Sequence, residues 1–189
     1  MKITFAIVAA FLALIGNSSY LRDVLKGRVH PHPYTWGIWS IVSMTTLLGG
    51  IVKGAGIGVL PTAVAEGFTV IIFLFSLCQL GTSKVSAIRP TDHYFLLAAL
   101  LGLVPWVLTK DPTISVVLMV LIDTIAFIPT LRKAWRTPQT EQPVLFEMNV
   151  LRHILTLFSL EAYNIATTLH SVAMICTNSL MVLFIKRRR

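Results

Sequence analysis

The chain has 189 residues, of which 55% are hydrophobic and 13% charged, and its formal net charge is +8. A soluble domain carries roughly a quarter charged residues, and with a mean hydropathy of +0.77 the apolar runs are too long and too many for one soluble core. The positive charge does not point to nucleic acid, because the basic residues sit in short loops and at the C-terminus, where membrane proteins use them for orientation.

A membrane span needs about 20 mainly apolar residues. In chain order the candidates are 3–20, 34–52, 58–80, 93–109, 113–134, 143–161 and 164–185. The first, "MKITFAIVAAFLALIGNSS", also fits a secretory signal with a basic start and an apolar middle, but no small-x-small cleavage pattern follows it. The fourth is short and holds Pro105, which a membrane helix tolerates when neighbours satisfy the freed backbone groups. The glycines at 49, 50, 54, 56 and 58 fit a compact turn better than a helix-packing motif. Cys78 and Cys176 both fall in apolar runs, which argues against a disulfide framework and a paired-cysteine metal motif.

Charge tests the count of seven. Alternate connections fall on opposite sides, and one side collects twelve of the sixteen basic residues, including Arg22, Arg132, Lys133 and Arg187. The other side collects three, Lys2, Lys53 and Lys110, and Arg152 lies inside a span. The positive-inside rule then places the N-terminus outside and the C-terminus in the cytoplasm, most simply of a cell (inner) membrane. Losing the first span as a signal keeps this bias.

Two short basic, proline-punctuated stretches resemble one another: "NSSYLRDVLKGRVHPHPYTW" at 17–36 and "FIPTLRKAWRTPQTEQPVLF" at 127–146. A shift of 110 positions aligns Ile15 with Ile125, Leu21 with Leu131, Arg22 with Arg132 and Pro33 with Pro143. The same shift lays spans one to three on spans five to seven and leaves span four as a connector. An odd connector lets both triplets insert with the same orientation, as parallel repeats. The expected fold is all-α: seven transmembrane helices as two three-helix bundles joined by a linker helix (3+1+3). Residues 1–80 form the first repeat, 81–110 the linker region and 111–189 the second repeat with a basic tail.

Asp123, five residues and a proline (Pro129), then "TLRKAWRTPQTE", resembles the second motif of the PQ-loop proteins, which include the SWEET-like (MtN3) sugar transporters, cystinosin-type carriers and the KDEL receptors. Pro129-Thr130 fills the place of the family's Pro-Gln pair, and Ser19-Tyr20 replaces it in the first repeat. The more conspicuous Pro138-Gln139 falls in a loop. The resemblance implies an external N-terminus, a cytoplasmic C-terminus and alternating access. Pro129 would kink span five and serve as a hinge; in the first half, Gly16 with Asn17-Ser18-Ser19 would loosen the helix instead.

An ionised Asp at the centre of a helix costs about 2.5–3.5 kcal/mol on insertion scales, and such residues face a bundle interior or a wet cavity. Asp123 is therefore a candidate translocation residue. Some PQ-loop carriers use an acid on the equivalent helix for proton coupling, so the resemblance implies that role; the alternative is a structural ion pair. In "VLFEMNVLRHILTLF" the residues Glu147, Asn149, Arg152 and His153 cannot share one narrow helix face. Some would line a cavity and others pair with neighbours, Arg152 with Asp123 or Glu66. The resemblance implies a solute-lining role for Asn178, whose counterpart in the first half is Phe68; an interhelical hydrogen bond is the plainer reading. Trp36 and Trp39 could stack on a sugar or anchor the helix at the interface. The histidines of "HPHP" at 30–33 have no carboxylate or thiol cluster, and the prolines more simply separate two helices.

Three functions fit. The first is a transporter of a small polar solute, such as a sugar or an amino acid, proton-coupled through Asp123. The second is a non-transporting receptor or accessory protein of the same fold. The third is an intramembrane metal-dependent hydrolase built on Asp123, His153 and His170, for which no His-xxx-His is present. The expectation is a non-enzyme without cofactor or metal. Its partners are the bilayer, the solute and protons, not nucleic acid, and a homo-oligomer is compatible.

Overall fold

The computed structural model describes residues 1–27, 31, 33–78, 90–136 and 143–188; the histidines of "HPHP", Gln79 and Pro138-Gln139 lie outside them. Among the described residues every regular element is helical: α1 (Lys2–Leu25), α2 (Pro33–Val52), a 3-10 turn (Gly56–Val59), α3 (Leu60–Cys78), α4 (Pro90–Leu101), α5 (Val104–Thr109), α6 (Thr113–Arg136), α7 (Pro143–Ser159) and α8 (Ile165–Arg188). All seven apolar runs fall on these helices, with α4 and α5 sharing the fourth. Among the described residues four stretches are long and apolar enough to cross a membrane: α1, α2, Gly56–Cys78 and α8 up to Arg187. Leu96–Thr109 and Thr113–Ile125 are apolar but shorter. Pro33 and Pro143, aligned by the repeat, each begin a helix, a place where a missing N–H is harmless and the fixed φ suits the first turn.

The helices pack in a closed order. α1 lies against α3 and α7, α3 against α2, α2 against α6, α6 against α8, and α8 against α7. α4 packs on α2 and α6, and α5 on α6, outside this ring. Ring contacts fix the up-and-down alternation. Phe5 at the start of α1 meets Phe158 at the end of α7 (centroids 5.6 Å apart), and Tyr20 near the end of α1 meets Trp36 at the start of α2 (5.1 Å).

Sequence spacing explains the packing of α1. Ala6, Ala9, Ala10 and Ala13 recur at helical period and are buried, so neighbouring backbones approach closely along a small-residue stripe. Ile7, Phe11 and Leu14 point outward, a surface suited to lipid. The polar run after Gly16 does not loosen this helix as expected. α1 continues to Leu25, and the Asn17 amide donates to its own helix at Ala13 O (2.8 Å), which spares it a search for a partner elsewhere. α6 likewise runs unbroken through position 129.

The fourth run breaks between α4 and α5. Met119 packs where a Cβ on Gly102 would stand, and Pro105 sits in the first turn of α5. The Trp106 N–H there donates to Ser115 Oγ on α6 at 3.0 Å as well as to Leu103 O at 3.1 Å.

At one end of the bundle three connections interlock. Gly54 and Gly56 take positive φ (+77° and +59°), and a Cβ on Gly56 would coincide with the Glu161 carboxylate. This is the compact turn expected from the glycine run. Glu161 N–H donates to Ala55 O (3.0 Å), and Asn164 Nδ2 donates to Lys53 O (3.0 Å). Lys53 Nζ reaches Asp111 Oδ2 at 2.7 Å, while Asp111 Oδ1 accepts the Thr113 N–H (2.8 Å) and caps the start of α6. Lys53 and Thr113 hold the Asp111 carboxyl well below the usual carboxylate range. The α2–α3 turn is thus tied to both the α5–α6 and α7–α8 connections.

Candidate functional site

The candidate residues separate into three places. In the first, Asp123 stands ten residues into α6, about 15 Å from its start at 1.5 Å per residue. The Trp39 side chain of α2 lies beside the partly buried carboxylate. Trp39 meets Trp36 edge to face (5.3 Å, 81°), and Trp36 in turn meets Tyr20 (5.1 Å). The structure therefore gathers three sequence candidates, Asp123, Trp39 and Trp36, along the α2–α6 seam. In this conformation the two indoles stack on each other.

The second place lies between α7 and α8. Arg152 Nη2 is 2.7 Å from His153 Nε2, and His153 Nδ1 is 3.3 Å from Ser171 Oγ. A guanidinium only donates, so Nε2 accepts, the ring proton sits on Nδ1, and His153 is neutral with Ser171 as its second partner. The His170 ring meets His153 edge on, with centroids 5.5 Å apart, and among the described residues its buried Nδ1 makes no hydrogen bond. Beside it is a cavity of about 20 Å³ lined by Thr46, Thr62, Thr156, Thr167, His170 and Ser171 among others, space for about one water. The tied connections lie beyond it, since Ala55, Gly58 and Leu160 also line it.

The expected pairing of Arg152 with Asp123 or Glu66 does not occur. Among the described residues Arg152 has no carboxylate within ion-pair distance, and both Glu66 oxygens are buried without a hydrogen bond, although the Ser43 hydroxyl lies beside them. The adjacent imidazole offers Arg152 an acceptor without any movement between helices. Asp123 has Trp39 beside it instead.

The third place is the far end of α7. Glu147, just past the first turn, binds Lys186 Nζ at 2.6 Å, and both side chains are well exposed. Asn149 is partly buried. Asn178 is buried, and its amide donates back to Met174 O of α8 (2.7 Å). Neither the 20 Å³ cavity nor the larger cleft between α2, α3 and α4–α5 is lined by Asp123, Arg152 or Asn178. Pro129 lies within α6, and its side chain is outside the described set.

Sequence reasoning missed the hydroxyls around His170. Their signal was present: Thr167, His170 and Ser171 stand at i, i+3 and i+4 on one face of α8, as His153 and Thr156 do at i and i+3 on α7. Among the described residues no three His, Cys, Asp or Glu side chains gather to hold a metal.

Comparison with known proteins returns no matching family model, no matching curated protein and no matching solved structure.

Proposed function

We propose that the chain is a carrier for a small polar solute. It spans the membrane seven times, as the triplets α1–α3 and α6–α8 joined by α4–α5, with the Lys53 end outside. The observation that carries this reading is the neighbour order α1, α3, α2, α6, α8, α7. Advancing every helix to its repeat equivalent returns the same ring, as parallel repeats about an axis along the membrane normal would. Carriers of that build place their site near the midplane between the repeats. The polar cluster of Arg152, His153, His170 and Ser171 on one side and the Asp123–Trp39 contact on the other suit a solute with several hydrogen-bonding groups. The tied end beyond the small cavity supports a state closed on that face.

In this reading the proposed kinship is with the PQ-loop and SWEET-like transporters. Asp123 couples a proton, Pro129 is the hinge, and Trp36 and Trp39 separate to admit the solute. No ATP-binding motif is legible in the sequence, so uphill transport draws on an ion gradient. The test is uptake of labelled sugars and amino acids into proteoliposomes holding the purified protein and an imposed proton gradient. Gradient-driven uptake is expected, and Asp123→Asn should abolish it while leaving solute exchange. Failure of every solute to enter or exchange would sink the proposal and favour a receptor.

A further inference from the structure

α3 packs on α1 and α2, whereas α4 packs on α2 and α6. A cleft of about 700 Å³ consequently opens between α2, α3 and the α4–α5 pair. Its walls are apolar, with Val70, Leu74 and Leu77 from α3, Met44 from α2, and Leu96 and Trp106 from the outer pair. Met44, Leu74 and Leu77 are also exposed at the surface of the bundle, so the cleft opens sideways, toward lipid in the seven-span reading. Its polar lining is Tyr34, Thr45, Ser40 and Glu66; the Tyr34 hydroxyl meets His93 Nδ1 (2.9 Å) and Thr45 donates to Ile41 O (2.7 Å). Glu66 is 2% exposed, and among the described residues neither its carboxylate oxygens nor the Ser40 hydroxyl makes a hydrogen bond, the Ser43 hydroxyl lying beside the carboxylate. Among the described residues no lysine, arginine or histidine lines the cleft.

A buried carboxylate with no counter-charge is expensive, and inside a membrane bundle such a group marks a place where a partner arrives. The shape adds a second constraint. From Glu66 the cleft extends along α3 to Leu77, eleven residues, or about 16 Å at helical rise. We infer that this cleft is a lateral binding site for a single-tailed amphiphile from the bilayer, whose primary ammonium sits on Glu66 and Ser40 and whose tail lies along α3 toward Leu77. An ammonium supplies what the lining lacks, a positive charge and hydrogen-bond donors. A neutral alcohol supplies only a donor, and a short amine lacks the tail that the apolar walls would cover. The site is separate from the α7–α8 cluster and does not depend on the carrier reading.

The experiment uses the intact chain in phosphatidylcholine nanodiscs, with native mass spectrometry for stoichiometry and thermal unfolding for affinity. The probes are dodecylamine, dodecanol and butylamine. One dodecylamine should bind per chain, roughly tenfold or more tighter than dodecanol, since severing a buried charge pair costs at least that much; butylamine should not bind. Glu66→Gln should bring dodecylamine down to the alcohol. Val70→Trp, which fills the cleft and leaves Glu66 in place, should remove binding of both tailed probes. Equal affinity for amine and alcohol, binding of butylamine as tight as dodecylamine, or dodecylamine affinity unchanged in either variant would overturn the assignment. If Glu66→Gln does not fold, the probe ranking and Val70→Trp decide it.

Discussion

The seam between α7 and α8 and the cleft between α2, α3 and α4–α5 treat a buried ionisable group in opposite ways. In the seam, Arg152 is one of a connected set: it donates to His153, which leads on to Ser171, with His170 packed alongside. In the cleft, Glu66 lines an open apolar volume and makes no hydrogen bond among the described residues. Opposite charges inside one bundle would attract strongly if they met, yet these two do not pair. Each is held on its own helices, and neither side chain can cross a ring whose order is set by backbone packing. The seam is built to be satisfied from within the chain, the cleft from outside it.

The largest effect expected from breaking this contrast is a double dissociation. A hydrogen bond involving a charged group is worth about 1.5–3 kcal/mol. Arg152→Gln should therefore slow solute uptake roughly tenfold or more and leave dodecylamine binding intact. Glu66→Gln should do the reverse. Uptake that falls equally in both variants would merge the two regions into one site.

Next comes the tied end. Gly56→Ala places a Cβ on the Glu161 carboxylate and in left-handed backbone, which alone costs about 1–2 kcal/mol. Thermal unfolding should fall accordingly, whereas Gly16→Ala, where a Cβ meets nothing within 4 Å, should be neutral or stabilising.

A smaller, pH-dependent effect belongs to Asp111. Its folded-state carboxyl holds its proton less tightly than the unfolded one, because of Lys53 and Thr113. The stabilisation it brings is therefore complete above the unfolded carboxylate range and disappears as pH falls through the lower folded value. The Tm deficit of Asp111→Asn should be constant from about pH 7 to 5 and shrink only below about pH 4. A deficit that vanished near neutrality would contradict the Lys53 pairing. The smallest effect is that of Glu147 and Lys186, an exposed pair whose double-mutant coupling should not exceed about 1 kcal/mol.

The contrast also separates what the sequence could and could not disclose. Hydrophobic runs placed all seven apolar segments on helices, because a run of twenty apolar residues has few other solutions. Pro33 and Pro143 marked two helix starts by their backbone chemistry, and Gly54 and Gly56 marked a turn. The break at Gly102 was hidden, since it depends on Met119 arriving from α6. The partner of Arg152 was misjudged because helical period says which face a residue occupies, not which helix faces it. The cleft was invisible for the same reason: nothing in α4 announces that it packs on α2 and α6 and leaves one side of α3 uncovered. Asn178 was singled out by the family resemblance, and its hydrogen bond to its own helix at Met174 O could be read only from coordinates.

Alternating access requires the tied end to open, and one cross-link tests that requirement. A Cβ at position 54 would lie 3.6 Å from the Ala162 Cβ, within the usual disulfide spacing. With Cys78 and Cys176 replaced by alanine, oxidised Gly54→Cys/Ala162→Cys protein should stop transporting in proteoliposomes and recover on reduction, the reduced protein serving as control for strain at the glycine. Transport at the same rate in the fully cross-linked and reduced states would contradict a carrier that opens at this end.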